Sequence, residues 1–181
     1  SESSTGGNYI YEFENDMEGW TYFKSGANFT KEAWLHSTDA KTITSVKDSH
    51  SGKGHLMSIS FVDGFIQQNI PINNYLVSPS KVKVTENSKV SFYASGNNTY
   101  GYKEHFGVAV STSGNTSESY FTTIDEWIIS EKTTWTKYTV DLSAYAGQEI
   151  YVAIRHFFTA QEWEDSYYGY DYDALNIDDI T

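Results

Sequence analysis

The chain has 181 residues, no cysteine and a formal net charge of −12, from 24 Asp and Glu against 12 Lys and Arg. This charge repels phosphate backbones and argues against nucleic acid as a partner. Without cysteine the chain has no disulfide framework, thiolate zinc site or cysteine nucleophile. No apolar run approaches the ~18 residues that a membrane-spanning helix needs, so we expect no membrane insertion.

Strand-forming residues dominate the composition. Aromatic side chains make up 17% of the chain and proline only two residues, which favours pleated, half-buried surfaces. No long segment has clean helical periodicity, so the sequence predicts an all-β protein. The length fits one sandwich, and we predict a single domain over residues 9–181. Residues 1–8 are polar, lack the apolar region of a signal peptide and are expected to form a flexible linker.

Short strands separated by turns follow one another along the chain. Alternation in residues 9–14 predicts a first strand that places Glu12 and Glu14 on one face. Further strands or extended pieces are predicted at 33–36, 42–47, 55–61, 74–79, 89–95, 104–111, 120–129 and, after a long loop, 174–180. Many short strands of this kind indicate a sandwich or a barrel.

The clearest pattern lies in residues 135–158. Tyr138, Val140 and Leu142 alternate with polar residues, which predicts a half-buried strand. After a turn, residues 150–157 are largely apolar on both faces. A strand with two apolar faces is central in its sheet and covered on both sides.

Seven segments, in order, carry a resemblance to a known family. They are FENDMEGW at 13–20, NYLVSPS at 74–80, KVSFYAS at 89–95, EHFGVAVSTSGNT at 104–116, FTTI at 121–124, YTVDLSAYAGQEIYVAIRHF at 138–157 and LNIDDI at 175–180. With these segments the chain resembles the cleaved-adhesin domains of gingipain and haemagglutinin polyproteins of bacteria. Residues 159–173 look longer and more aromatic than the family's loop, and residues 28–40 match poorly.

The resemblance implies a jelly-roll β-sandwich similar to carbohydrate-binding modules and MAM-type domains. It implies a secreted or surface-displayed module of a larger bacterial protein, with neighbouring domains in the same polypeptide. It also implies binding to host extracellular proteins or glycans without catalysis, and structural calcium.

A set of acids is expected where the chain ends meet. First and last strands of a domain often lie close together, which would bring Glu12 and Glu14 near Asp178 and Asp179, with Asp48 from a neighbouring turn. Calcium prefers such hard oxygens, and a cation offsets the repulsion between clustered acids. The spacing matches no fixed metal motif, so the residues alone also fit a solvated acidic edge. The resemblance favours calcium.

Aromatic and acidic residues crowd the segment 161–173. We predict ligand contact from its aromatic members, since exposed rings stack on sugars and anchor protein interfaces. These members are Trp163, Tyr167, Tyr168, Tyr170 and Tyr172. Two alternatives remain open: the rings fold down to cap one end of the sandwich, or the acids hold a second calcium.

Signals for catalysis are weak. The histidines show no paired metal spacing, and His105 and His156 sit in strand patterns that predict packed, hydrogen-bonded side chains. Asp125 and Glu126 are neighbours in a strand and point to opposite faces, so they cannot flank one sugar bond. We therefore expect a binding module. The alternatives are a carbohydrate-binding module of a glycan-degrading enzyme and a structural spacer.

Overall fold

The computed structural model describes residues 8–26, 30–61, 70–97, 103–129, 134–167, 169 and 172–181. The strands in these ranges are β1 Thr21–Lys24, β2 Leu35–His36, β3 Leu56–Ile59, β4 Asn73–Val77, β5 Val82–Lys83, β6 Lys89–Gly96, β7 Glu104–Ser111, β8 Thr122–Ile129, β9 Thr136–Asp141, β10 Glu149–Phe157 and β11 Ala174–Asp178. The helices are α1 Ser37–Ala40 and α2 Ala160–Asp165. Short 3-10 turns cover Glu118–Tyr120 and Ser143–Tyr145.

Two antiparallel sheets form the sandwich. The first has the order β1-β4-β10-β7-β8, with β5 also paired to β10, and the second has the order β2-β3-β11-β6-β9. Ala153 of β10 pairs with Val77 on one side and Ala109 on the other. Ile154 on its inner face and Ala153 on its outer face are both fully buried, so the prediction of a central strand covered on both sides is confirmed.

The core lies between the inner faces of the two sheets. Strand alternation directs Phe92 from the second sheet and Phe106 and Ile154 from the first into this space, where all three are fully buried. On the outer face of the second sheet, Met57 and Ile59 are covered by the chain around α1. On the outer face of the first sheet, Tyr75 and Val77 are buried as well, so both sheets bury apolar side chains on both faces.

The chain ends meet as predicted, although with less regular structure. Tyr11 and Ile180 exchange two backbone hydrogen bonds, of 2.8 and 3.0 Å. The predicted strand at 9–14 is reduced to this single bridge, because Phe13 adopts a φ of 53° and breaks the extended pairing. Glu12 and Glu14 consequently do not share the face of a regular strand.

Two other predictions of local structure are wrong. Residues 42–47 contain no strand, and the amides of Ile43 and Thr44 both donate to the carbonyl of Ala40 at the end of α1, which closes a turn. The long loop before the last strand contains α2, which begins at a capping box between Thr159 and Glu162. This helix is too short to produce visible periodicity. No helix in the described ranges is long and apolar enough to cross a membrane.

Candidate metal site and binding surface

Residues 48–54, here called the terminal turn, bring the two chain ends together. The amide of Lys53 donates to Glu14 Oε2 at 2.8 Å, and the amide of Ser51 donates to Asp178 Oδ2 at 3.3 Å. Gly52 lies between them with a φ of 60°, and a Cβ there would collide with the Glu14 carboxylate. One tight turn therefore receives carboxylates from both ends of the domain.

Asp178 is the buried member of this group. Asp178 is fully buried at the end of β11, and its Oδ1 accepts a hydrogen bond from the amide of Asp179 at 2.8 Å. Burial, and then the charge of Asp179, raises the pKa of Asp178 to about 7, against the lowering effect of backbone hydrogen bonds. The surroundings of Asp178 therefore disfavour its charged form. A bound cation would offset this penalty.

Glu14 shows a second sign of an incomplete site. Its Oε1 is buried and has no hydrogen-bond partner among the described residues, whereas its Oε2 is satisfied by Lys53. A buried acceptor without a donor is costly, and a cation is one way to satisfy it.

Asp179 completes the arrangement on the solvent side. It adopts a φ of 48°, its Oδ2 lies 2.6 Å from His50 Nδ1, and Ser51 Oγ donates to both of its oxygens at 2.8 and 2.7 Å. The ring of His50 stacks on Tyr93 with 3.5 Å between centroids. Glu14, Asp178 and Asp179, held against the terminal turn, are called the terminal acid site below.

The oxygen chemistry of this site fits calcium, which accepts carboxylates and backbone carbonyls in irregular geometry. Within the described ranges, no three His, Asp or Glu side chains form a metal cluster on their own. Backbone carbonyls would therefore have to complete the coordination.

The predicted ligand set divides in the structure. Glu12 is exposed, and no hydrogen bond among the described residues joins it to the terminal turn. Asp48 is also exposed, and its backbone carbonyl accepts the indole N–H of Trp135 at 3.1 Å. Glu14, Asp178 and Asp179 each accept a hydrogen bond from the terminal turn, and the complete ligand set stays a prediction.

Two of the aromatic residues predicted to contact a ligand are buried. Trp163 is 1% exposed and Tyr172 is 7% exposed. Tyr172 stacks on Phe158 at 3.8 Å, and its hydroxyl donates to the carbonyl of Glu162 at 2.8 Å. The prediction that these two rings face a ligand is wrong in this structure, because their apolar area packs with Ile72 against the end of the first sheet. The alternative of a capping role holds for both.

Tyr167 remains exposed. Its side chain is 67% exposed just after α2, and its φ of 55° turns the chain there. Tyr168 and Tyr170 lie outside the described residues. Ligand contact by Tyr167 stays a prediction.

A buried polar network was missed by sequence reasoning. His156 Nε2 lies 2.6 Å from Glu104 Oε2, and His156 Nδ1 lies 2.6 Å from Ser58 Oγ. Ser60 Oγ donates to the other oxygen of Glu104 at 2.6 Å. His156 and Glu104 come from the first sheet, Ser58 comes from β3 of the second, and Ser60 directly follows β3. The predicted packing of His156 is confirmed, and the signal for its partner was a glutamate in an inward position of β7.

His105 anchors α2 to the first sheet. Its Nδ1 lies 2.9 Å from Glu162 Oε1, and its Nε2 lies 3.6 Å from Glu126 Oε2. The same Glu162 oxygen accepts the amide of Thr159 at 2.8 Å. The predicted packing of His105 is confirmed, and it fixes the segment that carries Trp163 and Tyr167.

A family model described as the Cleaved Adhesin Domain matches residues 10–181. The chain belongs to the cleaved adhesin domain family. This cleaved adhesin domain is 30% identical over 167 residues to Hemagglutinin A of Porphyromonas gingivalis, covering 83% of this chain and 6% of that protein. A second Hemagglutinin A of the same species is 29% identical, with 83% and 7% covered. The domain thus spans less than a tenth of the length of these curated relatives.

Solved structures agree on the fold. The K1 cleaved adhesin domain of Lys-gingipain from Porphyromonas gingivalis superposes with a TM-score of 0.70 at 24% identity, covering 95% of both chains. The K2 domain of Lys-gingipain gives 0.64 at 25% identity, with 95% and 96% covered. A family 22 xylan-binding domain gives 0.54 at 14% identity, with 97% and 93% covered. The predicted family and the β-sandwich resembling carbohydrate-binding modules are confirmed.

Proposed function

We propose that this cleaved adhesin domain is a non-catalytic, calcium-stabilised binding module of a larger secreted or surface bacterial protein. Its partners are host extracellular proteins or glycans. The observation that carries the proposal is the terminal acid site in a domain of an adhesin family, where Asp178 is buried and one Glu14 oxygen has no partner among the described residues.

Calcium would act here as a structural ligand. Glu14 holds it from the N-terminal segment, Asp178 and Asp179 from the end of β11, and carbonyls of the terminal turn complete the shell. Bound calcium supplies positive charge that satisfies the buried carboxylates. The residues themselves link three separate pieces of chain, so that the domain end becomes one rigid unit.

The binding surface that we propose is the exposed side of α2 with Tyr167. Gln161, Glu164 and Asp165 are exposed there, and the last of these accepts a hydrogen bond from Gln161 at 2.8 Å. An exposed tyrosine beside acids fits a protein with a basic patch, because aromatic anchors with complementary charge are typical of interfaces. A glycan reader is the second candidate, since the open ring of Tyr167 can stack on a sugar.

Thermal unfolding tests the calcium part. Wild type and the Asp178→Ala/Asp179→Ala double variant are compared in excess calcium and in chelator. A ligand that binds only the folded state stabilises it by about 2.7 kcal/mol at a hundredfold excess over its dissociation constant. We expect a shift of several degrees for wild type and none for the double variant. No shift, and no metal in the purified wild type, would contradict a metal at the terminal acid site.

Binding assays in calcium test the adhesin part. The Tyr167→Ala variant is compared with Tyr120→Ala, a matched control because Tyr120 is 46% exposed on a different loop. Immobilised matrix proteins, with and without enzymatic deglycosylation, separate a protein partner from a glycan. We expect loss with Tyr167→Ala alone. Equal binding by both variants contradicts the proposed surface, and failure of every screen by wild type supports a spacer.

A further inference from the structure

Residues 8–24 cross from the end of the second sheet to the edge of the first and are called the N-terminal strap. The strap starts at the bridge between Tyr11 and Ile180 and ends with β1, whose only partner among the described strands is β4. Three of the four residues of β1 are exposed. The strap is therefore held by backbone pairing along a single side.

The fold of the strap contains backbone strain. Phe13 and Glu18 have φ angles of 53° and 50°, which are costly for residues other than glycine. Phe13 and Trp20 are buried in the main core, and their rings lie 6.2 Å apart. Burial of two aromatic side chains therefore holds a strained segment in place, and detachment of the strap would relieve this strain.

The segment at the other chain end is held more firmly. β11 lies between β3 and β6, pairs with four residues of each, and has all five of its own residues buried. After β11, Thr181 exchanges two backbone hydrogen bonds with Ser91, of 2.8 and 2.9 Å. A pull on both chain ends acts equally on the two segments. The strap should yield first, because regions with fewer contacts open at a lower free-energy cost.

Strand direction determines how such tension is carried. Tyr11 and Ile180 lie side by side, so a pull on the chain ends acts across their bridge and breaks its two hydrogen bonds in turn. β1 then runs away from this end of the domain, since Lys24 pairs with Asn74, and Asn74 pairs with His156 near the end of β10. The strap therefore leads from the chain ends to the end of the sandwich that carries α2.

Detachment of β1 changes the direction of the load. The next residue, Ser25, donates its amide to the carbonyl of Asn73 at 2.8 Å, at the α2 end of the first sheet. Tension then enters there and leaves at Thr181, at the opposite end of the sandwich, so it acts along the strands. Ladder hydrogen bonds lie perpendicular to the strands, so such a load is shared by many of them at once. The first stage of extension is therefore soft and the second is stiff.

We propose that the N-terminal strap is a force-released extension of this domain. Tension between residues 8 and 181 detaches the strap first, while the other strands and α2 stay folded. The freed residues 11–24 supply about 50 Å of chain, and the shift of the load along the sandwich adds about 20 Å. The polypeptide therefore lengthens while the proposed binding surface at α2 keeps its structure. This role rests on the proposed place of the domain in a larger protein, but the release itself is measured on the domain alone.

Single-molecule force spectroscopy tests the release. The chain has no cysteine, so handles attach only at introduced cysteines. A pull between Asn8→Cys and Thr181→Cys, both at exposed positions, should give a first step of about 70 Å at low force and a second step at higher force. A pull between Ser25→Cys and Thr181→Cys bypasses the strap and should give the second step alone. Chelator is present throughout, so the outcome is independent of the calcium proposal.

Two alanine variants locate the first step. Tyr22 is 40% exposed on β1 and pairs across the ladder with Leu76. Ile128, which is 54% exposed on the other edge strand of the same sheet, is the matched control. Tyr22→Ala should speed the first step about two- to fivefold at constant force, because one cross-strand pair is lost, and should leave the second step unchanged. Ile128→Ala should leave the first step unchanged.

Three results would overturn the proposal. One is unfolding of the Asn8→Cys/Thr181→Cys protein in a single step. Another is the appearance of the first step in the Ser25→Cys/Thr181→Cys protein, which would place that step outside the strap. The third is equal acceleration of the first step by Tyr22→Ala and Ile128→Ala.

Discussion

Two regions of this domain combine acids with aromatic rings, but the structure treats them in opposite ways. The terminal acid site buries the carboxylate of Asp178 and leaves His50 and Tyr93 stacked at the surface. The segment 161–173 buries Trp163 and Tyr172 and leaves its acids Glu164 and Asp165 exposed. The difference marks the terminal acid site as the region where we propose a bound cation.

The physical costs of the two arrangements differ. Burying an indole or a phenol ring is favourable, provided that its polar atom finds a partner, as the Tyr172 hydroxyl does. Burying a carboxylate is unfavourable unless donors or a cation surround it. An acid is therefore informative about a metal site when the fold buries it, and an aromatic residue is informative about a ligand when the fold exposes it.

The largest expected effect comes from Trp163. We expect Trp163→Ala to lower the free energy of unfolding by about 3–5 kcal/mol, because it leaves a cavity under Phe158 and Tyr172. Tyr167→Ala should stay within about 0.5 kcal/mol, as for an exposed site. Chemical denaturation measures both. A small loss of unfolding free energy in Trp163→Ala would contradict the comparison of the two regions, since the ring would then not be part of the core.

The next effect is a pH dependence beneath the terminal turn. His55 is fully buried, and burial lowers its pKa to about 4 despite its hydrogen bond to Asn176. Between this value and the ordinary 6.5 the unfolded chain binds more protons than the folded one, so stability rises with pH across that window. The full effect is about 3 kcal/mol at most.

Denaturation series at several pH values measure the His55 effect. His55→Gln removes the titrating group. The free energy of unfolding of this variant should therefore rise less between pH 4 and 6.5 than that of wild type. If the free energy of unfolding of this variant depends on pH as steeply as that of wild type, the dependence belongs to groups other than His55. The contrast between the terminal acid site and the segment 161–173 would then be weaker.

A third prediction separates Asp178 from its neighbour. In chelator above neutral pH, Asp178→Asn should raise the free energy of unfolding. The substitution removes a buried carboxylate, whose charge is disfavoured because burial raises the pKa of Asp178 to about 7. In excess calcium the same variant should lose most of the stabilisation of about 2.7 kcal/mol expected at a hundredfold ligand excess.

The control for this prediction is Asp179→Asn, whose side chain is 16% exposed and hydrogen-bonded to Ser51. It should show little stabilisation in chelator, because its charge is less buried. Thermal scans in calcium and chelator measure all three proteins. A calcium response in Asp178→Asn equal to that of wild type would remove Asp178 from the metal site.

The smallest effect concerns the Tyr172 hydroxyl. Tyr172→Phe keeps the stacking on Phe158 but removes the hydrogen bond to the Glu162 carbonyl, so we expect a loss of about 1 kcal/mol. Tyr120→Phe, at a half-exposed ring, is the matched control and should be neutral. Equal stability of the two variants would mean that the ring alone holds α2 in place.

Sequence alternation alone determined the class of fold and its best strands. The predictions at 89–95, 104–111 and 150–157 match β6, β7 and β10 closely, because a period of two is a local property of a half-buried strand. The rule that the first and last strands of a domain often lie close together predicted that the chain ends meet, and Tyr11 pairs with Ile180. The resemblance to cleaved-adhesin domains added the family and the sandwich architecture.

Tertiary structure decided the features that depend on contacts between residues far apart in the chain. The pattern shows that Glu104 and His156 point inward, but only the packing of the two sheets brings them within 2.6 Å of each other. Likewise, Glu12 and Glu14 look equivalent in sequence, and the left-handed φ of Phe13 directs only Glu14 onto Gly52. Spacing along the chain fixes the face of a side chain, whereas its neighbours, and therefore its burial and chemistry, come from distant segments.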